Sequence, residues 1–172
     1  MRYVALLRGV NVGGRTILMA DLRACFDDMG FDDVTTVVQT GNVLFNSEAG
    51  CTALRPTIEE GLRVRFDHPV HVQVYSLAQL KRIIESSPFD GRDPQMHSYV
   101  VFFEGGLERQ LMVEAGDVDI RNERVQAGKG VLYWLVPKGS TLTSEVAHYL
   151  TKARYKNHHT NRNINTLRKI AG

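Results

Sequence analysis

Val34-Thr35-Thr36-Val37-Val38-Gln39-Thr40-Gly41-Asn42-Val43-Leu44-Phe45 is the stretch that decides the fold. A β-branched run at 34–38 and an apolar run at 43–45 flank a Gln-Thr-Gly-Asn turn, the pattern of a β-hairpin. Antiparallel strands can be joined through so short a turn, whereas parallel strands need a crossover of a dozen or more residues. The stretch therefore argues against a doubly wound parallel sheet, and its neighbours are read around it.

Upstream, residues 3–7 are a short apolar run that reads as a buried strand, and 9–14 are glycine-rich and read as a loop. Residues 19–29 carry Met19, Leu22, Ala24, Cys25, Phe26 and Met29 on one helical face, with Gly30 where a helix-terminating glycine belongs. Downstream, 52–65 read as a helix with Leu54, Ile58 and Leu62 inward, and Pro56 is expected in its first turn. Residues 70–75 alternate Val70, Val72 and Val74 as a half-buried strand, and 77–84 follow as a helix. The first 75 residues thus spell βαββαβ, the split-βαβ motif.

Residues 86–95, rich in Ser, Pro, Gly and Asp, are expected to link two halves, 1–85 and 96–172. The pattern then resumes. Strands are expected at 98–103, 118–125 and 130–136, and helices at 107–115 and 144–152, with Ser144 as a cap. A final helix is expected at 163–170. The fold class is α+β: two consecutive ferredoxin-like, βαββα-type halves with mainly antiparallel sheets and a C-terminal helix.

Composition narrows the function classes. The chain has 172 residues, 43% hydrophobic and 23% charged, which is ordinary for a globular protein. No stretch reaches the roughly 18 apolar residues of a membrane span, and Arg8 interrupts the first apolar run. No membrane association and a cytoplasmic location are expected. Cys25 and Cys51 lack metal-ligand spacing, and a disulfide is not expected in a reducing compartment. From Lys152 onward there are six basic residues and no acid, which leaves 15 basic and 19 acidic residues before it. Such a basic end is either a solvated surface or the footprint of a polyanion contact.

Three polar segments stand out: Arg8-Gly9-Val10-Asn11-Val12-Gly13-Gly14, Gln39-Thr40-Gly41-Asn42, and Thr160-Asn161-Arg162-Asn163-Ile164-Asn165-Thr166. In a split βαβ, strands one and two run parallel with strand three between them. The loop after strand one, the turn after strand two and the start of the first helix therefore share one edge. The chemistry of that edge suits an anion. Gly9, Gly13, Gly14 and Gly41 let backbone N–H groups turn toward a ligand. Arg8 offers a bidentate fork. Asn11, Gln39 and Asn42 supply donors and acceptors that orient a ligand. Arg162, Asn163 and Asn165 could form a second wall of the same site.

Structural roles compete at every position. The glycines could serve only turns, Asn42 only a hairpin, Arg8 an ion pair with an acid such as Asp21, and the Asn residues of the third segment only a helix cap. The pattern is neither GxxxxGK[ST] nor GxGxxG. No nucleophile elbow or triad spacing is evident. His158-His159 has no third ligand, so neither metal nor cofactor is expected.

The leading expectation is binding of a phosphate-bearing ligand, a nucleotide or nucleic acid. The aromatic stacking pair of RNA-recognition sheets is not evident. An enzyme acting on a small phosphorylated or carboxylated substrate is one alternative. A structural or interaction module is another, with Tyr133 and Trp134 on an exposed strand face.

The segment from Tyr3 to Gly14, then Met19-Ala20-Asp21-Leu22-Arg23, then 39–45, closely resemble the bacterial family catalogued as domain of unknown function 1697. Residues 160–166 resemble that family's closing motif, and the spacing fits along essentially the whole chain. The chain departs from the pattern at Thr40, where the family usually has Ser, and at Ile164, where an aromatic is usual. It departs again at Glu145, where a Ser-Lys-Leu segment appears as Ser144-Glu145-Val146. The resemblance implies a bacterial, cytosolic protein of similar fold and implies no activity.

Overall fold

The structure is a computed structural model, and it describes residues 1–11, 13–14, 16–38, 41–116 and 122–172. The chain forms two units, Met1–Lys81 with Lys169–Gly172, and Arg82–Arg168.

Unit one runs through β1 (Arg2–Arg8), α1 (Met19–Asp28), β2 (Asp32–Thr36), β3 (Asn42–Asn46), α2 (Cys51–Phe66) and β4 (His71–Ser76), and α3 (Leu77–Glu85) follows. The strand order is β2-β3-β1-β4, with every neighbouring pair antiparallel. Alternation along β1 divides its side chains between two faces. Tyr3, Ala5 and Leu7 join Leu22, Phe26, Leu54, Ile58 and Leu62 of the helices in one core. Val4, Leu6 and Arg8 therefore project from the face turned away from α1 and α2. Each fully buried Leu, Ile or Phe contributes roughly 1.5–3 kcal/mol. That burial holds α1 in place, because its N-cap residue, Leu18, makes no side-chain capping bond.

The edge strand β2 is kinked. Its pairing with β3 slips between Asp32 and Thr35, and Asp33 adopts φ +52°. Arg2 Nη1 fastens the kink by donating to Asp33 O at 2.7 Å and Asp33 Oδ2 at 2.8 Å.

Unit two repeats the plan with β5 (Met96–Phe103), α4 (Leu107–Ala115), β6 (Arg124–Ala127), β7 (Val131–Pro137), α5 (Glu145–Thr151), α6 (Ala153–Lys156) and β8 (His159–Asn163), and α7 (Ile164–Ala171) follows. Its strand order, β6-β7-β5-β8, matches that of unit one. Val101, Phe103, Leu132, Trp134 and Val136 pack with Leu111, Val146 and Tyr155. The Glu123 carboxylate joins the sheet to α5. It accepts from Trp134 Nε1 at 2.7 Å and from the Glu145 backbone N–H at 2.8 Å. Ser144 caps α5 as expected, accepting from Ala147 N–H at 3.1 Å. Glu145 lies in the first turn of α5, where a carboxylate suits the positive end of the helix.

Several expectations are corrected. Thr160–Asn163 belong to a strand rather than to a loop leading into a helix, so the second half is a full βαββαβ. Pro56 falls in the second turn of α2, because the helix begins at Cys51. Its ring deprives the Thr52 carbonyl of an intrahelical donor, but Thr52 is exposed and water can serve it. Tyr133 and Trp134 are buried and offer no surface anchors. The strand expected at 118–125 begins at Arg124, and residues 117–121 lie outside the described residues.

Candidate functional site

The first and second polar segments meet. Leu6 pairs with Asn42 across β1 and β3, and Leu7 N–H donates to Gly41 O at 2.8 Å. The turn is seated tightly on β1. A Cβ at Gly41 would lie 2.8 Å from Val10 Cγ2 and 3.1 Å from Leu7 Cβ, and Gly41 adopts φ +71°. Only glycine fits so close an approach at that dihedral. Gln39 lies outside the described residues.

Asn42 is fully buried, and its Nδ2 donates to Val37 O at 3.0 Å while Val37 N–H donates to Asn42 O at 3.0 Å. The asparagine therefore closes the hairpin with its side chain as well as its backbone. Asn11 closes the neighbouring loop, with Oδ1 accepting from Ile17 N–H at 3.2 Å. Gly13 and Gly14 are exposed in left-handed conformations with open space around them. Gly9, at φ +82°, begins the loop, and its carbonyl faces His68 Nε2 at 3.2 Å.

Arg8 ends β1 half-buried, with Nη1 out of contact with solvent. Its partner in register across β4 is His71, and Leu6 is flanked by Asn42 and Gln73. Cross-strand partners share a face. Arg8, His71, Asn42 and Gln73 thus form a polar row on the sheet face opposite α1 and α2. Gln73 is buried and accepts from Tyr75 OH at 2.9 Å. The sequence reading missed Gln73 and His71. Their signal was the complement of the alternation in β4: Val70, Val72 and Val74 mark one face, so 71, 73 and 75 mark the other.

The third segment lies in unit two and is described there by itself. Arg162 stands on β8 opposite Val100, on the face of its sheet away from α4 and α5. It is 9% exposed, and burial lowers its pKa to about 10, so it remains a cation at neutral pH. Its Nη1 donates to Thr160 Oγ1 and Asn161 O, both at 2.8 Å. Asn163 Oδ1 accepts from Asn165 N–H at 2.9 Å and so starts α7. Asn165 Nδ2 donates to Gly91 O at 3.1 Å, and Arg168 donates to Asp90 O and Asn165 Oδ1. These two asparagines hold backbone in place beside a buried guanidinium.

Much of the basic C-terminal stretch is engaged locally. Arg154 pairs with Glu114, and Lys152 lies over the Tyr149 ring at 3.9 Å. Among the described residues, no group of three or more His, Cys, Asp or Glu side chains could hold a metal ion. No described helix is long and apolar enough to cross a membrane.

The family model described as "Protein of unknown function (DUF1697)" matches residues 1–133. Among solved structures, the chain is similar to the conserved bacterial protein SP0830 from Streptococcus pneumoniae. The two are 26% identical, the match covers 99% of this chain and 96% of that one, and the TM-score is 0.80. No curated protein matches the chain.

Proposed function

We propose, for a chain that belongs to the DUF1697 family, that it binds a phosphate-bearing ligand at the edge formed by the β1–α1 loop and the β2–β3 turn. One observation carries this reading: Leu7 N–H donates to Gly41 O at 2.8 Å. The guanidinium of Arg8 and the left-handed glycines 9, 13, 14 and 41 therefore belong to a single edge. A preformed cation beside glycine-rich backbone is what recognition of a phosphate requires. In this reading Arg8 makes the charge-assisted contact, Gly13 and Gly14 give access to backbone N–H groups, and Asn11 and Asn42 fix the two loops. Gln39 is assigned a ligand contact from its position in the sequence. In unit two, taken by itself, Arg162 is a buried cation, and Asn163 and Asn165 brace its strand.

A nucleotide-sized ligand is favoured over nucleic acid. Arg154, Arg162, Arg168 and Lys152 all have local partners, which leaves few charges for a long polyanion track. A cytoplasmic location belongs to the same proposal, since Cys25 and Cys51 are both free thiols.

The test is calorimetric titration with inorganic phosphate, pyrophosphate and nucleoside mono-, di- and triphosphates, on the natural protein and on Arg8→Ala. A charge-assisted hydrogen bond is worth about 1.5–3 kcal/mol, so Arg8→Ala should weaken binding roughly ten- to a hundred-fold. Binding to mixed oligonucleotides with a steep salt dependence would shift the assignment to nucleic acid. No response to any phosphate compound, or an undiminished response in Arg8→Ala, would refute the proposal.

A further inference from the structure

The loop that follows Arg8 is held by a histidine in an unusual setting. His68 Nδ1 faces Phe66 O at 3.1 Å and its Nε2 faces Gly9 O at 3.2 Å. A carbonyl oxygen can only accept, so each contact is a hydrogen bond only when that ring nitrogen carries a proton. Neutral imidazole has one N–H and imidazolium has two. Only the cationic ring satisfies both carbonyls. The setting suits a cation in a second way, because His68 follows directly on the C-terminus of the 16-residue helix α2, the negative end of its dipole.

The surrounding charges come from three elements. From β1 there is Arg8, next to Gly9. From the end of α2 there are Arg63, Arg65 and Asp67. From β4 there is His71, whose Nδ1 lies 3.9 Å from Glu59 Oε1. Arg63 is matched by Glu60 and Arg65 by Asp28, so neither adds a full unmatched charge. Glu59 also accepts from Arg55 and from Val72 N–H.

A planar trans peptide points its N–H opposite to its C=O. Anchoring Gly9 O on His68 therefore also fixes the direction of the Val10 N–H at the base of the loop. We propose that His68 is a positioning residue that couples anion binding at the β1 edge to pH: the imidazolium clamps the Gly9 carbonyl and adds positive charge beside Arg8, and the neutral ring gives up one of its two carbonyls. This rests on the anion-site reading above.

The test compares the natural protein with His68→Gln, whose amide can still donate to one carbonyl but never titrates. The probe is sodium sulfate, which keeps its charge throughout, titrated calorimetrically at constant ionic strength at about pH 5.5 and about pH 8.5, either side of the ordinary histidine range. The natural protein should bind sulfate roughly three- to ten-fold more tightly at the acid pH, the scale of one half-exposed charge. In His68→Gln that difference should shrink. The other histidines are common to both proteins, so the contrast isolates His68.

Ligand-free melts form the second arm. The natural protein should exceed His68→Gln in Tm by more at the acid pH than at the alkaline one. Identical pH dependence of both proteins in titration and melts would overturn the proposal. Sulfate failing to bind at either pH would sink the anion-site reading and the coupling with it. The melts would then still show whether the two-carbonyl clamp exists.

Discussion

Replacing Gly41 by alanine tests the adjacency on which the candidate site is built. Gly41 stands at φ +71°, and an added Cβ would come within 2.8 Å of Val10 Cγ2 and 3.1 Å of Leu7 Cβ. The left-handed conformation costs an L-residue roughly 1–2 kcal/mol, and forcing a methyl into a filled contact costs typically about 1–3 kcal/mol. Restricting the unfolded chain returns roughly 0.4–1 kcal/mol. The net expectation is a loss of about 2–4 kcal/mol in unit one. Gly14 supplies the control. It has φ +79° but nothing within 4 Å of its added Cβ, so Gly14→Ala carries only the conformational terms, a net loss of about 0–1.6 kcal/mol. The single tryptophan, Trp134, lies in unit two, so its fluorescence would follow the wrong unit. Hydrogen exchange of the β1 and β3 amides reads unit one directly. Equal loss of protection in Gly41→Ala and Gly14→Ala would refute a hairpin turn seated on the end of β1.

Glu123→Ala should destabilise unit two by about 2–3 kcal/mol and alter Trp134 emission, because two donors lose one charged acceptor; Glu123→Gln, which keeps one acceptor oxygen, should lose about half as much in urea melts. Burial, with Glu114 adding to it, pushes the Tyr155 hydroxyl up to about 12. The folded protein keeps this proton where the unfolded chain has lost it, so the contribution is complete below about pH 10 and disappears as pH rises to about 12. Tyr155→Phe should flatten the fall in urea midpoint over that window, and an unchanged slope would rule out Tyr155 as its source.

The hairpin at 34–45 was legible because its signal is local: two β-branched or apolar runs around a glycine turn. Strand β8 was not, because its sequence is His-Thr-Asn-Arg-Asn and its buried members are Thr160 and Arg162. Hydrophobic alternation cannot find a strand whose inward residues are polar. The adjacency of Arg8 to the Gly41 turn followed from strand order alone. The role of Asn42 did not, because an asparagine beside a turn glycine looks the same whether its amide closes the turn or faces a ligand. Trp134 was read as an outward anchor because its partner, Glu123, lies eleven positions away in a polar stretch with no periodicity. The basic end looked like a surface patch because sequence does not reveal that Glu114 lies beside Arg154.

The Arg2–Asp33 kink has a bearing on how the protein behaves when crowded. An edge strand with a regular ladder invites a neighbouring chain to extend the sheet, the first step toward aggregation. At β2 the register breaks between Asp32 and Thr35, and the Asp33 carbonyl is already occupied by a guanidinium. A second chain approaching that border would meet two carboxylates and an interrupted row of hydrogen-bonding groups. Arg2 thus occupies a group that a second chain would need, and Arg2→Ala is expected to tell in concentrated solution before it tells in a dilute melt.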